Sequence, residues 1–407
     1  MINQLPRDPS PLKMDQRTWK KIEINHRRNK ELDHTALLDD CSKRFDYEEC
    51  KDLYWNPEQY SLLFGTPLWN ESTESQKKLL NQLYWVAYYS QIISAEIATI
   101  FFNQTSAAGL YGMNDFRNVC DMLDLESAQE RAHINAFFTV SEKVEEALFG
   151  QRIFSYDMRN PYAQTMIFPD TNKLKDAWRN LQLRSFALLS SGSAFIASQY
   201  FTVRGLRTLN GKMVQQRLSH FYHKSPDQES LPIPSAISYY HYMDESFHFN
   251  SSCIIGHDVV RSLPNPTAYE KLIGNMGILG CQKDHSNFSV VVNGLFWYEP
   301  SLYEPIYKVL RSQIFDMDHE EAVTMMKRCF CEENDAVHAS FNTMNLAIES
   351  YKKFLDPLDY VNENNKDLSL MRKMSIDKYL KTNRKAMRNF RTPAGYETQG
   401  TVQVAVS

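Results

Sequence analysis

Glycine is scarce, 14 residues in a chain of 407, and strand-like alternation is almost confined to the short run "SVVV" at 289–292. A β-sandwich does not fit such a chain, and no repeat of fixed period suggests a solenoid. An excess of charge of either sign is also missing. The 45 basic and 49 acidic residues leave a formal net charge of −4, which removes the global reason to expect nucleic acid as a partner. The opening "MINQLPRDPSPLKMDQ" has no apolar segment of the kind a secretory signal needs. The longest uncharged runs, 79–95 and 185–203, carry Ser, Gln, Asn or Tyr throughout, so they read as buried bundle helices and no stable membrane span is expected. The cysteines at 41, 50, 120, 253, 281, 329 and 331 are odd in number and scattered, which suggests reduced thiols in a cytoplasmic protein. Cys329 and Cys331 form a CxC with no second pair behind it and are taken as structural.

What is present is apolar and aromatic: 43% hydrophobic and 13% aromatic residues, in long helical patterns. The expected fold is all-α, a helical bundle with additional packing helices. Residues 1–75, punctuated by Pro6, Pro9, Pro11, Pro57 and Pro67, read as an irregular wrapping segment. A helical domain is expected over 76–354, introduced by Thr73 and Gln76 at capping-box spacing. Helices are predicted at about 115–149, 172–207, 234–261 and 318–354, with shorter ones such as "NPTAYEKLIGN" between. Residues 355–407 form a basic extension in which nine Lys and Arg lie between Lys366 and Arg391, with a mobile tail expected beyond about 391.

Between Leu79 and Asn114 the only charged residue is Glu96, set among aromatic and branched apolar side chains. A carboxyl buried there either stays protonated and hydrogen-bonded or needs a cation. On the next helix Glu130 and His133 stand at i and i+3, and "HYMDESFHF" (241–249) repeats the spacing with Glu245 and His248. His241, one turn before Glu245, falls on the same stripe. A single ExxH is common on solvated helix faces. Two of them behind a lone inner Glu have the pattern that bundle cores use for two-metal sites, where carboxylates bridge the ions and imidazole suits iron.

Glu96, then Glu130-x-x-His133, then His241-x-x-x-Glu245-x-x-His248, on separate helices in this order, resembles the ferritin-like di-iron oxygenases of the p-aminobenzoate N-oxygenase type. The resemblance implies two iron ions. One would be held by Glu96, Glu130, His133 and Glu245; the other by His241 and His248, with Glu130 and Glu245 bridging. That family carries one more metal-binding Glu, on the helix between the two ExxH motifs. Here no Asp or Glu occurs from Ala177 to Pro226. Ser190, Ser191, Gly192 and Ser193 are the expected neighbours of the missing ligand and of a halide in its place. Asp176, Asp227, Glu229 or Asp244 could instead fold back to replace it.

With that carboxylate absent, the pattern resembles the dimetal-carboxylate halogenases of cyanobacterial natural-product pathways, the cylindrocyclophane type. What this implies is O2-dependent chlorination of an unactivated C–H in a fatty acyl chain on an acyl carrier protein. Chloride and O2 would be co-substrates, and a reductant or redox partner would supply electrons. The alternatives are a di-iron N-oxygenase or hydroxylase with a completed ligand set, and a metal-free or metal-storing bundle that serves as a binding module.

Three further features have plain readings as well. Asp335 and His338 read first as a capped or surface pair and stay outside the site. Arg204, Arg207, Lys212, Arg217, His220, His223 and Lys224, with 366–391, offer a basic surface for an acidic carrier protein or simply a solvated face. Phe101, Phe102, Tyr200, Phe201, Tyr239, Tyr240, Phe247 and Phe249 could line a substrate tunnel or be ordinary core.

Overall fold

The computed structural model describes residues 13–112, 114–154, 173–287, 303–393 and 395–396. Fifteen α-helices and no strand occur among them. In chain order they are α1 (Gln16–Glu31), α2 (Thr35–Arg44), α3 (Pro67–Glu71), α4 (Glu74–Tyr111), α5 (Arg117–Phe149), α6 (Lys173–Gly192), α7 (Ala194–His223), α8 (Ile233–Cys253), α9 (Ala268–Asn287), α10 (Tyr303–Arg311), α11 (His319–Cys331), α12 (Asp335–Leu355), α13 (Glu363–Lys366), α14 (Ser369–Arg372) and α15 (Ile376–Arg388). Helix α8 runs on through a π turn at Ile254–Asp258 and a 3-10 turn at Val259–Ser262. The run "SVVV" and the tail at 397–407 lie outside the described residues.

Thr73 caps α4, although the buried core already includes Leu38, Trp55, Leu62 and Trp69 before it. Its hydroxyl accepts from the Gln76 backbone N–H while the Gln76 side chain accepts from the Thr73 N–H, which satisfies two orphan donors at the head of α4. At 38 residues α4 is about 57 Å long. A short connection returns the chain as α5 packed against it. Helices α7 and α8 form the second antiparallel pair. Arg204 meets Ser252 near one end and His223 stacks on Tyr239 near the other. These four helices are the bundle; α1, α2, α6 and α9 pack around it.

Two predicted helices break where the sequence shows no Pro. The run 172–207 divides at Ser193, whose side chain accepts from the Ile196 N–H and so caps α7. The run 318–354 divides at Asn334, which caps α12 through the Val337 N–H. In both, a short polar side chain competes for a backbone donor and wins. The basic segment contains a packed helix. Helix α15 buries Tyr379, Leu380 and Met387 and packs on α11.

Two apolar clusters fill the bundle. One gathers Trp55, Trp85, Tyr88, Tyr89 and Phe137; the other gathers Phe102, Phe116, Phe201 and Tyr351. On α4, Glu96 lies between Ile93 of the first cluster and Phe102 of the second.

Candidate metal centre

All six residues singled out by spacing converge. Glu96 comes from α4, Glu130 and His133 from α5, and His241, Glu245 and His248 from α8. Each is buried except Glu245, which is partly so. Their donor atoms form two groups within which all lie inside 4.8 Å of one another: Glu96, His133, His241 and Glu245 in one, and Glu130, Glu245 and His248 in the other. Glu245 belongs to both, and Glu130 also reaches both, with Oε1 3.2 Å from His248 Nδ1 and Oε2 3.3 Å from His133 Nδ1, so the two carboxylates expected to bridge stand between the groups.

Within the first group His241 Nε2 is 3.1 Å from Glu96 Oε1, and His133 Nδ1 is 3.7 Å from the same oxygen. In the second, His248 Nδ1 is 2.8 Å from Glu245 Oε1 and 3.2 Å from Glu130 Oε1. His241 groups here with His133, where the resemblance implied His248; His241 Nε2 and His248 Nδ1 nevertheless reach the same Glu245 Oε1, at 3.8 and 2.8 Å.

The electrostatics are those of a cation site. Burial and the neighbouring Glu130 push Glu96 above the usual carboxyl range. Burial acts the same way on Glu130, but the imidazoles of His248 and His133 outweigh it and hold that group well below its ordinary value. For His133 burial disfavours the charge, yet Asp244, Glu130 and Glu96 raise it well above the usual imidazole value. Glu96 Oε2 and His241 Nδ1 are buried with no hydrogen-bond partner. Three carboxylates, three imidazoles and orphaned buried donor atoms fit a pair of divalent metal ions.

Aromatic rings wall the site on one side. Phe137 and Tyr89 lie edge-on to His241, with ring centroids at 4.9 and 5.7 Å. On the other side a cavity of about 120 Å³ opens between α4 and α7. Glu96, Glu130, His241, Glu245 and His248 lie at its polar end, and Ile92, Ala95, Phe102, Tyr200 and Val203 supply apolar wall. Of the aromatic residues proposed for a tunnel only Phe102 and Tyr200 take part, stacked at 4.6 Å. Phe201 is core, and Tyr239 and Tyr240 pack with Tyr222 towards the far end of α8.

Ser190, Ser191, Gly192 and Ser193 are not near the centre. They form the α6–α7 junction, and Ser190 rests against α4 at Gly109, thirteen residues and about 20 Å along the helix from Glu96. Their hydroxyls serve local partners: Phe186 O for Ser190, Leu188 O for Ser191, and Glu270 Oε1 for Ser193. The α7 positions that face the cavity lie further along the chain, beyond Ser193. Arg204, Thr208, Gly211 and Gln215, at helical spacing, line the cavity beside the donors, and none is a carboxylate. Gly211 leaves open space, since a Cβ there would meet nothing within 4 Å.

The substitute carboxylates do not fill the gap either. Asp227 and Glu229 are exposed in the turn before α8, where Asp227 accepts from the Ser230 N–H. The side chain of Asp176 lies outside the described residues. Asp244 is buried but stands behind His133, accepting from Nε2 at 3.2 Å. The His133 and His34 hydrogen bonds overcome burial and bring Asp244 down to about 2. His338 pairs with Glu333 on the surface, so it and Asp335 play no part here. Arg204 is no surface residue. It is buried, paired with Glu126 at 2.9 Å and donating to the His248 carbonyl at 2.8 Å.

The residues that spacing alone missed are those behind the histidines. The residue before each ExxH glutamate crosses to the opposite motif: Asp244 to His133, and Gln129 to His248 at 2.9 Å. The repeated order polar-Glu-x-x-His, Gln129-Glu130 and Asp244-Glu245, was the available signal.

The class follows from these features: an all-α, ferritin-like bundle whose inner helices carry a buried carboxylate and histidine cluster beside an apolar cavity. The chain belongs to the CylC-like acyl halogenases, for the family model described as "Acyl halogenase CylC-like" matches residues 17–391. It is an enzyme, a halogenase. No curated protein and no solved structure gives a significant match. No helix among the described residues is long and apolar enough to cross a membrane, and all seven cysteines are free.

Proposed function

We propose that the protein is an O2-dependent di-iron halogenase that chlorinates an unactivated C–H of a fatty acyl chain carried on an acyl carrier protein. The observation that carries this reading is the pairing of six convergent donors with an α7 face that offers no carboxylate. Glu96, His133 and His241 would hold one ion and His248 the other, with Glu130 and Glu245 shared between them. The His248 group has fewer protein donors, so the position open to halide belongs there, towards Gly211 and Thr208.

Bound iron would supply the means of spending O2 on a C–H bond too strong for acid or base chemistry. The balance is one C–H exchanged for C–Cl, with O2 reduced to two waters by two external electrons and three protons. The chain's own part is positional. Ile92, Ala95, Phe102 and Val203 offer an alkyl chain an apolar wall, Tyr89 and Phe137 keep water from His241, and rigid helices fix every donor.

The test is to incubate the reduced, iron-loaded protein with O2, chloride and an acyl-loaded carrier protein and read the product by mass spectrometry. A chlorine isotope pattern on the acyl group is expected. Hydroxylated product without chlorine would transfer the assignment to the hydroxylase reading. Less than about one iron per chain in protein prepared with ferrous ion would remove both.

A further inference from the structure

We infer that Asn29 and His34, at the end of α1 and in the turn that follows it, are positioning residues that hold the metal-facing histidines from outside the bundle. This rests on the six residues above being metal ligands. Neither residue touches a donor atom; each acts through one intermediary.

The His248 arm runs through two amides. His248 presents Nδ1 to Glu245 and Glu130, so a metal there requires the proton on Nε2 and an acceptor facing it. Gln129 Oε1 is that acceptor, at 2.9 Å. A lone side-chain amide can turn over and offer its NH2 instead. Asn29 opposes this by pairing with Gln129 in both directions: Asn29 Nδ2 donates to Gln129 Oε1 at 2.9 Å, and Gln129 Nε2 donates to Asn29 Oδ1 at 3.0 Å. Asn29 and Gln129 are both buried, so water does not compete for these atoms.

The His133 arm runs through a carboxylate. His133 Nε2 donates to Asp244 Oδ2, and Asp244 Oδ1 accepts from the His34 backbone N–H at 3.1 Å and faces His34 Nδ1 at 2.9 Å. The His34 ring also lies over Tyr240. One turn before Asn29, Asn25 donates to the Phe247 carbonyl at 3.1 Å and to Ser251 Oγ at 2.9 Å, which ties this face of α1 to α8 on both sides of His248. Helix α1 and the turn after it thus reach both arms, and the arms differ: an amide stands behind one histidine and a carboxylate behind the other.

Ferrous-ion titration of the full-length protein by chelator competition, with Asn29→Ala, His34→Ala and Lys21→Ala, tests this. Lys21 is also on α1 and pairs with Asp258, away from both arms, so its loss reports simple loosening of the helix. Wild type is expected to bind two ions. Asn29→Ala should weaken one binding step by about 10- to 100-fold and His34→Ala the other, with Lys21→Ala near wild type. His34→Gln, which keeps a side-chain donor for Asp244, should recover much of the His34→Ala loss. Unchanged affinities in both alanine variants would overturn the inference, as would equal weakening of both steps in all three. Two ions in wild type with unaltered variants would leave the proposed function standing; no ions in wild type would remove both.

Discussion

Glu245 is a carboxylate that both donor groups share, while Glu96 serves one. Removing them should have unequal effects. Glu245→Ala is expected to bring bound iron from about two ions per chain towards none, whereas Glu96→Gln should retain about one. Iron measured after gel filtration of ferrous-loaded protein decides this, and equal losses in the two variants would contradict the sharing. The six donors were legible in the sequence for a local reason: a lone charge in an apolar helix and an i, i+3 pair need only helical geometry to be seen. Asn29, Gln129 and His34 were not, because Asn29 and Gln129 are a hundred residues apart and their roles exist only after packing. Asp244 was visible as a neighbour of Glu245, but its side, behind His133, depends on where α5 lies.

Among elements, the long helices were readable and their breaks were not. The stretch around Gly192 and Ser193 has the composition of a continuous buried helix, and only the capping bond from Ile196 to Ser193 ends one and starts the next. The cavity that holds the donors is lined on α7 by Gly211, nineteen residues beyond Gly192, and by none of the residues at the break. Gly109 shows what the α4–α6 contact requires. A Cβ there would fall 2.5 Å from the Ser190 carbonyl oxygen, a backbone atom with no rotamer to yield. Gly109→Ala should therefore destabilise by about 1–3 kcal/mol despite the higher helix propensity of Ala, seen as a lower Tm. An unchanged Tm would mean that α6 can move off α4 without cost.

At the scale of the whole molecule, the N-terminal region read from its prolines and charges as a wrapping segment also contributes to the centre, since Asn25, Asn29 and His34 reach the helices that carry the donors. Amphipathic patterning could not show this, because the residues that matter on α1 are polar ones that become buried. Metal should consequently stabilise more than α4, α5 and α8. Ferrous ion at 100 times its dissociation constant contributes about 2.7 kcal/mol per independent site, so the loaded protein should melt higher than the metal-free one. Hydrogen exchange with and without iron locates that gain. Amides of α4, α5 and α8 around the donors should slow, and those from Asn25 to His34 should slow with them, because the ordered histidines hold Gln129 and Asp244 against the first helix and the turn after it. Slowing confined to the three donor helices would show that α1 rests on the bundle without sharing the energy of its metal site.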